Sequence, residues 1–391
     1  MKILHCSDIH LGRRIAGGVG EFSEMRFNDY FNAFDYIVEK AIDYEVDVFV
    51  VAGDFFDKRE ISPEVLHRTE NILRKLSDNK IECLIIEGNH DNISYGREKD
   101  SWIYYLSQKQ LVRRVSYSYN ENSDIEFPYY QINNVRFYGL GYPGLFVEEV
   151  VKEFSEKIIY DNDFVNYLII HTAITDGIMS GTIKAESIFK LKEKVHYIAG
   201  GHLHNFSKYP SEYPFFFVPG SPEMWDFSEF NQKKGFIIFD TDSKKYEFYP
   251  SKRRETILIE SNNSINNIND LIEIVKTNDR IEYFDSKPIV YLKCANQNKL
   301  DNADIESFFL SKGACKVFII NNNNSNYAIF ENASDDSNLF EVEKEVITSW
   351  NLFDVDSTFN MLQRLKRYHE EDLMDDFHST LDEFLDKQLG V

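Results

Sequence analysis

Positive charge is what this sequence has too little of. Its 391 residues carry 43 Lys and Arg against 65 Asp and Glu, a formal net charge of −22. A uniformly acidic surface repels polyanions, because gripping a phosphate backbone needs cations that face the phosphates. Any nucleic-acid path must therefore be a local basic strip, helped by bound divalent ions, which are often the largest charges in their sites. Long apolar runs are also missing. None reaches the roughly 20 residues of a bilayer-spanning helix, so no membrane partner is expected. An apolar strand pattern already begins at Ile3, which leaves no room for a signal peptide before it. Cysteine is scarce: Cys6, Cys83, Cys294 and Cys315 form no CxxC pair, and the first two fall in strand patterns, as buried thiols would. Together these absences point to the cytoplasm. What remains, 43% hydrophobic and 15% aromatic residues, is enough for packed cores, and the length argues for two or three domains rather than one.

Five apolar runs carry the chemistry. The first ends in Asp8-Ile9-His10, and residues i and i+2 of an extended chain point to the same side. A carboxylate and an imidazole on one face suit a metal ion. The second run, from Val46, ends in Gly53-Asp54; the third, from Ile81, in Gly88-Asn89-His90-Asp91. The fourth, from Tyr167, ends in His171; the fifth, from Tyr197, in Gly201-His202-Leu203-His204. Each delivers its polar residues at the C-terminal end of a strand pattern, where ligands collect in open α/β sheets. Taken singly, any of them is ordinary: a lone His171 reads as a hydrogen-bonded core histidine.

Between the first two runs Phe27, Tyr30, Phe31, Phe34, Ile37, Val38, Ala41 and Ile42 follow helical spacing. Strands one and two are thus expected to be parallel across a helical crossover. Ser62-Pro63 offers an N-cap and a first-turn proline to a helix running to about residue 77. A shorter helix spans 102–111. The pattern turns to β over 112–119, 127–132 and 135–140, with Asn133-Asn134 as a hairpin turn. A helix at 146–158 precedes the His171 and His202 strands, and 206–209, 215–218 and 236–240 read as completing a second sheet. The sum over residues 1–250 is an α/β fold, an αββα two-sheet sandwich. Strands at 256–260, 289–294 and 314–320 alternate with helices at 265–276 and 301–311, a small α+β domain over 251–331. Residues 338–391 read as an acidic helix–loop–helix arm. Its Phe359, Leu362, Leu365, Leu373, Phe377 and Leu381 make an apolar stripe suited to a partner.

The order D-x-H, G-D, G-N-H-D, H, G-H-x-H resembles the calcineurin-like metallophosphoesterase superfamily. With the small second domain, the helical arm, and Pro219-Gly220-Ser221 ahead of Lys233-Lys234-Gly235-Phe236, the layout resembles the Mre-eleven/SbcD nucleases of DNA double-strand-break repair. Specific motifs lie only between Asp8 and Ser221. The resemblance implies a DNA exonuclease and endonuclease with two manganese ions, magnesium being the lesser choice. One ion would be held by Asp8, His10, Asp54 and His204, the other by Asp54, Asn89, His171 and His202, with Asp54 bridging. His90 would stabilise the transition state or protonate the leaving oxygen. Where many relatives carry His, three residues after the bridging carboxylate, this chain has Asp57. That arrangement is similar to bacterial SbcD and to the phosphoprotein phosphatases, in which this Asp orients the His of Gly-Asn-His. The resemblance further implies a small domain that caps the site and helps bind DNA, and a homodimer formed through helices 62–77 and 102–111. It also implies an SbcC/Rad-fifty type coiled-coil ATPase held by the arm.

Basic candidates for a DNA strip are Arg13, Arg14, Lys58, Arg59 and Arg97, with Lys252-Arg253-Arg254 as another group; each singly also reads as a solvated surface charge. The same metal core would serve a phosphomonoesterase or a small-molecule cyclic phosphodiesterase. The arm argues for the nuclease, since a small-molecule phosphatase has no need of it. A non-catalytic scaffold has no reason to keep seven costly polar groups convergent.

Overall fold

The computed structural model describes residues 1–14, 20–91, 101–120, 124–158, 160–175, 179, 181–261, 264–277, 286–294, 299–321, 355–370 and 379–380. β1 (Lys2–Cys6), α1 (Glu21–Asp43), β2 (Val48–Ala52), α2 (Pro63–Asp78), β3 (Glu82–Ile86), α3 (Trp102–Gln108) and β4 (Arg113–Arg114) come first. The four strands pair in parallel in that order, as helical crossovers require. Ser62 caps α2 by accepting from the Val65 N–H, and Pro63 takes the first helical position. Every residue of β2 is buried. Phe49 and Val51 pack with α1, while Val48, Val50 and Ala52 pack with the second sheet, which is why the strand reads as one continuous apolar run.

β5 (Ser118–Tyr119) and β6 (Ile125–Glu126) form a two-stranded ribbon. β7 (Tyr129–Ile132) and β8 (Val135–Gly141) make the expected hairpin, with Asn133 at φ 51° in its turn. α4 (Val147–Lys157), β9 (Val165–Ile170), α5 (Ala185–Phe189), β10 (Tyr197–Ala199), β11 (Ser207–Tyr209) and β12 (Phe216–Val218) complete the second sheet, in the order β11-β12-β10-β9-β8-β7. β13 (Gly235–Asp240) does not join it, contrary to the expectation from sequence. It pairs antiparallel with β1, and an unforeseen β14 (Lys245–Pro250) follows as the edge of the first sheet. Phe236 packs towards α1 and Ile237 and Phe239 towards the second sheet; the local alternation is that of any buried strand and does not say which sheet receives it. Between the layers Tyr167 stacks on Tyr197 and Tyr197 on Phe217, each at 4.7 Å. Each such buried ring contributes about 1.5–3 kcal/mol. With α1, α2 and α3 outside the first sheet and α4 and α5 outside the second, the architecture is αββα.

β15 (Thr256–Ser261), α6 (Ile268–Thr277), β16 (Ile289–Cys294), α7 (Asn302–Ser311) and β17 (Lys316–Asn321) form a three-stranded parallel sheet with its own core. The strands and helices alternate as expected, and the parallel pairing makes this a βαβαβ unit, because each helix carries the chain back to start the next strand in the same direction. The unit packs on α1 and on the turn at Phe227–Glu229. Phe22, Phe227, Ile289, Tyr291 and Phe318 share one apolar cluster, and Arg254 holds Asp29 through two hydrogen bonds of 2.6 Å each. In α8 (Val355–Glu370) Phe359 and Leu365 are buried and Leu362 half-buried, and Arg364 donates to Thr380 at 3.1 Å. Arg97, Leu373, Phe377 and Leu381 lie outside the described residues. Among the described residues no helix is long and apolar enough to cross a membrane.

Candidate active site

Asp8 and His10 follow β1, Asp54 follows β2, Asn89 and His90 follow β3, His171 follows β9, and His202 and His204 follow β10. The packed sheets thus bring polar side chains from both layers to one seam. Asp8, His10, Asp54 and His202 have φ of 54°, 51°, 49° and 82°, left-handed backbone that residues other than glycine usually avoid and that gathers at functional sites. The glycines beside them leave room: a Cβ on Gly53 would strike the His171 ring, and one on Gly88 the Asp54 carboxylate.

Asp54 is the hub. Its Oδ1 accepts from the His90 main-chain N–H at 2.9 Å, and its Oδ2 faces His171 Nε2 at 3.3 Å and His10 Nε2 at 3.8 Å. Burial alone would raise this carboxyl, but His171, His10 and His90 around it hold it well below the usual carboxylate range. His171 donates Nδ1–H to the Ala52 carbonyl at 2.8 Å, which aims Nε2 into the seam. Burial works against its charge, yet Asp54 and Asp8 carry its pKa up to about 9. Asp8 accepts from the His202 N–H at 2.9 Å and from the Ser7 hydroxyl, and burial pushes its carboxyl up. Asn89 Oδ1 lies 3.1 Å from His171 Nε2 and 3.0 Å from His202 Nδ1. His10 Nε2 lies 3.1 Å from His204 Nε2, and burial holds His10 well below the ordinary histidine value.

The donor chemistry of this seam fits divalent metal ions. Asp8, His10 and His204 place ligand atoms within 4.8 Å of one another, and so do Asp8, Asp54 and His171. Carboxylate, amide and imidazole lone pairs crowd together only where a proton or a cation lies among them; in the chain itself the proton on His171 takes that part towards Asp54. The outward nitrogens are already engaged. Nδ1 of His171 is bonded to Ala52 and Nδ1 of His204 to a Glu229 oxygen at 2.6 Å. An imidazole whose second nitrogen donates to a carbonyl or carboxylate is set up as a metal ligand, and mixed nitrogen and oxygen donors suit first-row divalent metals.

The sequence profile of the calcineurin-like phosphoesterases matches residues 1–206. The chain belongs to that family. Solved structures similar to this calcineurin-like phosphoesterase include the protein TT1561 of Thermus thermophilus, at 13% identity and a TM-score of 0.39 over 63% of this chain and 96% of that one. A dimetal phosphatase from Danio rerio is similar at 11% identity and 0.37, covering 61% and 91%. A cold-active protein-tyrosine phosphatase of a psychrophilic Shewanella is similar at 14% and 0.31, covering 63% and 79%. With the family shown and the donors converged, this phosphoesterase is a metal-dependent hydrolase of phosphoester bonds.

All seven ligand candidates and His90 meet in the seam, whereas Asp57 differs from expectation. Its main-chain carbonyl, not its carboxylate, accepts from His90 Nδ1 at 2.7 Å. The carboxylate is drawn to the Arg13 guanidinium at 3.3 Å and lies 3.8 Å from His10 Nδ1. That His10 nitrogen is buried without a hydrogen-bond partner, and the Asp57 carboxylate and the His10 and His90 rings place ligand atoms within 4.8 Å of one another. Arg13 lies over the Trp225 ring, and Arg14 pairs with Glu24 at 2.7 Å; both are engaged within the molecule. Lys58 is exposed and Arg59 half-buried, its carbonyl accepting from the Trp102 indole at 2.9 Å.

Several residues of the site went unassigned in the sequence. Glu229 holds His204, and buried Lys234 meets Glu229 at 2.9 Å, Ser221 at 2.7 Å and the His204 carbonyl at 3.0 Å. Burial would raise the Glu229 carboxyl, but His204 and Lys234 hold it down to about 2. The lysine heading an apolar strand pattern was the available signal. Asp91 accepts from the main-chain N–H groups of Phe55, Phe56 and Gly88 at 2.9, 2.8 and 3.0 Å, tying the loop after β2 to the loop after β3. The Trp225 ring stands 4.9 Å from His10, 5.4 Å from His204 and 6.0 Å from His90, closing one side of the seam.

Proposed function

We propose that this phosphoesterase is a manganese-dependent DNA exonuclease and endonuclease that works with a coiled-coil ATPase of the SbcC/Rad-fifty type on DNA ends. The observation that carries the hydrolytic reading is His90. Tied by Nδ1 to the Asp57 carbonyl, with its ring 4.8 Å from that of His10, it keeps Nε2 for a substrate atom. A departing alkoxide needs a proton, and an imidazole at hydrogen-bond reach is suited to give it. Divalent metals bound at the seam supply Lewis-acid polarisation of the phosphoryl oxygens. Asp8, His10, Asp54 and His204 would hold one ion, and Asp54, Asn89, His171 and His202 the other. Glu229 fixes the His204 ring, and His90 delivers the proton from Nε2 to the leaving oxygen while the Asp57 carbonyl accepts from its Nδ1–H.

The nuclease reading is supported by the layout of the chain and by a βαβαβ unit seated against α1, a wall longer than a small ester needs. In this reading α2 and α3 form a homodimer contact, and α8 with the chain after it binds the ATPase. The second reading, a phosphomonoesterase or cyclic phosphodiesterase, is favoured by the internal ion pairs of Arg13 and Arg14, which thin the basic strip. The test offers the protein a linear duplex, a chromogenic phosphodiester and a chromogenic monoester, with manganese and with chelator. Metal-dependent shortening of the duplex is expected. Turnover of the monoester alone would replace the nuclease with the second reading.

A further inference from the structure

A histidine ring turns about a broad, roughly two-fold terminal torsion, so a ligand of this type needs something else to fix its plane. His171 is fixed by the Ala52 carbonyl and His204 by Glu229. His10 has no such anchor: its Nδ1 is buried without a hydrogen-bond partner, and the Asp57 carboxylate stops 3.8 Å away. Three rings stand around it instead, His90 at 4.8 Å, Trp225 at 4.9 Å and His204 at 5.1 Å. All three meet it edge-on, an arrangement aromatic rings favour. Of the three, Trp225 brings no lone pair for a metal.

Buried charges hold the main chain on both sides of Trp225. Its own N–H donates to Glu229 at 2.6 Å. The Met224 carbonyl accepts from Arg26 at 2.8 Å and from the Tyr30 hydroxyl at 3.0 Å, and the Met224 N–H donates to Glu223 at 2.7 Å. Arg26 pairs with Glu223 at 3.2 Å and with Asp29 at 2.8 Å. Arg254, at the entry to the small unit, binds Asp29 with its guanidinium and Glu223 with its main-chain N–H at 3.0 Å. Arg26, Asp29 and Glu223 are all buried. Desolvating such charges is costly and is offset only where every partner is in place.

We propose that Trp225 is a positioning residue for His10, and that the ion network of Arg26, Asp29, Glu223 and Arg254 acts on the metal site through it. The inference rests on the reading of His10 as a metal ligand. Arg13 lies over the indole and is itself held by Asp57, so the ring is fixed by contact as well as by its main chain. A fixed wall at 4.9 Å limits rotation of the imidazole. His10 Nε2 then stays beside that of His204, at 3.1 Å. By this route the small unit bears on a site whose candidate donors come from the two large sheets. Arg254 and Arg26 share the Asp29 carboxylate, and Arg26 passes the constraint to the Met224 carbonyl.

The test is calorimetric titration of the full chain with manganese chloride. Trp225→Leu should weaken binding roughly 10–100-fold, the scale of a lost ligand-orienting partner, and Trp225→Phe should keep most of it. Asp29→Asn faces two guanidinium groups with an amide that has one accepting oxygen. It should weaken binding in the Trp225 chain and add nothing in the Trp225→Leu chain, because contributions that run through one residue do not add. Arg26→Lys, which keeps the charge but loses the fork, takes its place if Asp29→Asn does not fold. Unchanged affinity in Trp225→Leu, or losses that add in the double variant, would overturn the proposal. A second reading needs no metal. The chain has three tryptophans, so Trp102→Phe with Trp350→Phe leaves Trp225 as the sole indole emitter. Acrylamide quenching of that emission should rise on Asp29→Asn, and unchanged quenching would show that the network does not hold the ring. A wild-type chain that takes up no manganese would sink the ligand assignment, while the quenching comparison still decides whether Asp29 holds Trp225.

Discussion

A histidine between two sheets accepts a proton only at the cost of its surroundings. His5 is fully buried, donating Nε2–H to the Gly200 carbonyl at 3.0 Å and accepting at Nδ1 from the Tyr197 hydroxyl at 2.9 Å. Burial lowers its pKa from 6.5 to about 3, with the Gly200 bond pulling the other way. Between those values the unfolded chain binds more protons than the folded one, so stability is full above 6.5 and falls as pH drops towards 3. The loss is on the order of a few kcal/mol. His5→Gln keeps a donor for Gly200 and does not titrate; its denaturation midpoint should vary less with pH across that window, and equal slopes would show that His5 plays no part. Glu229→Ala should weaken manganese binding roughly 10–100-fold, the scale of a lost ligand-orienting partner. Glu229→Gln should recover part of it, because an amide oxygen still accepts from His204; unchanged titration of the alanine variant would reduce Glu229 to a partner for Lys234. His90→Asn should keep metal binding and lose roughly 10²–10⁴-fold in turnover, and an equal loss of bound metal would make His90 a ligand. The candidate ligands were legible because metal chemistry confines such residues to a few types at strand ends. Glu229 was not, because its loop has no periodicity and its partner His204 lies in another loop. For Asp57 the residue type could be read, but not that its carbonyl rather than its carboxylate would meet His90.

Elements were legible to the extent that their periodicity is local. α1 and α2 and the parallel order of β1 and β2 follow from helical spacing and crossover geometry. The partner of β13 is decided across the sheet, by Ile237 and Phe239 facing the second layer, and its own five or six residues do not encode it. The loops that follow β2 and β3 are no more regular than other loops, yet the site needs them fixed relative to each other. Asp91 does this with three main-chain hydrogen bonds. Asp91→Ala would strand three buried donors, each costing about 1–3 kcal/mol, so thermal unfolding should shift down by roughly 6–36 °C for a domain of this size or the chain should fail to fold. Asp91→Asn, with one accepting oxygen left, should lie between. A melting temperature unchanged in Asp91→Ala would mean that the two loops are held by something else.

At the scale of the molecule, the βαβαβ unit and the strand-end site were read from separate stretches, but their contact was not, since Arg254 and Asp29 lie far apart in the chain and pair only once both units have folded. The terminal arm is the least legible part: Phe359 and Leu365 are buried, whereas a free apolar stripe was expected. If the proposed function holds, a chain ending at residue 337 should still cleave a linear duplex with manganese and should not bind a coiled-coil ATPase; unfolding of the shortened chain would assign the arm to the core. The seam has a consequence for assembly of the fold. Asp8, His10, Asp54 and Asn89 come from one sheet and His171, His202 and His204 from the other, so an ion held by both sets is a rivet through the sandwich. Ligand at a hundred times its Kd adds about 2.7 kcal/mol to stability, and chelation should lower the melting temperature and loosen amide protection first along the facing strand ends. Loading then acts as an inspection step: layers that close out of register cannot offer a complete set of donors, and a misassembled chain lacks the metal that phosphoester hydrolysis needs.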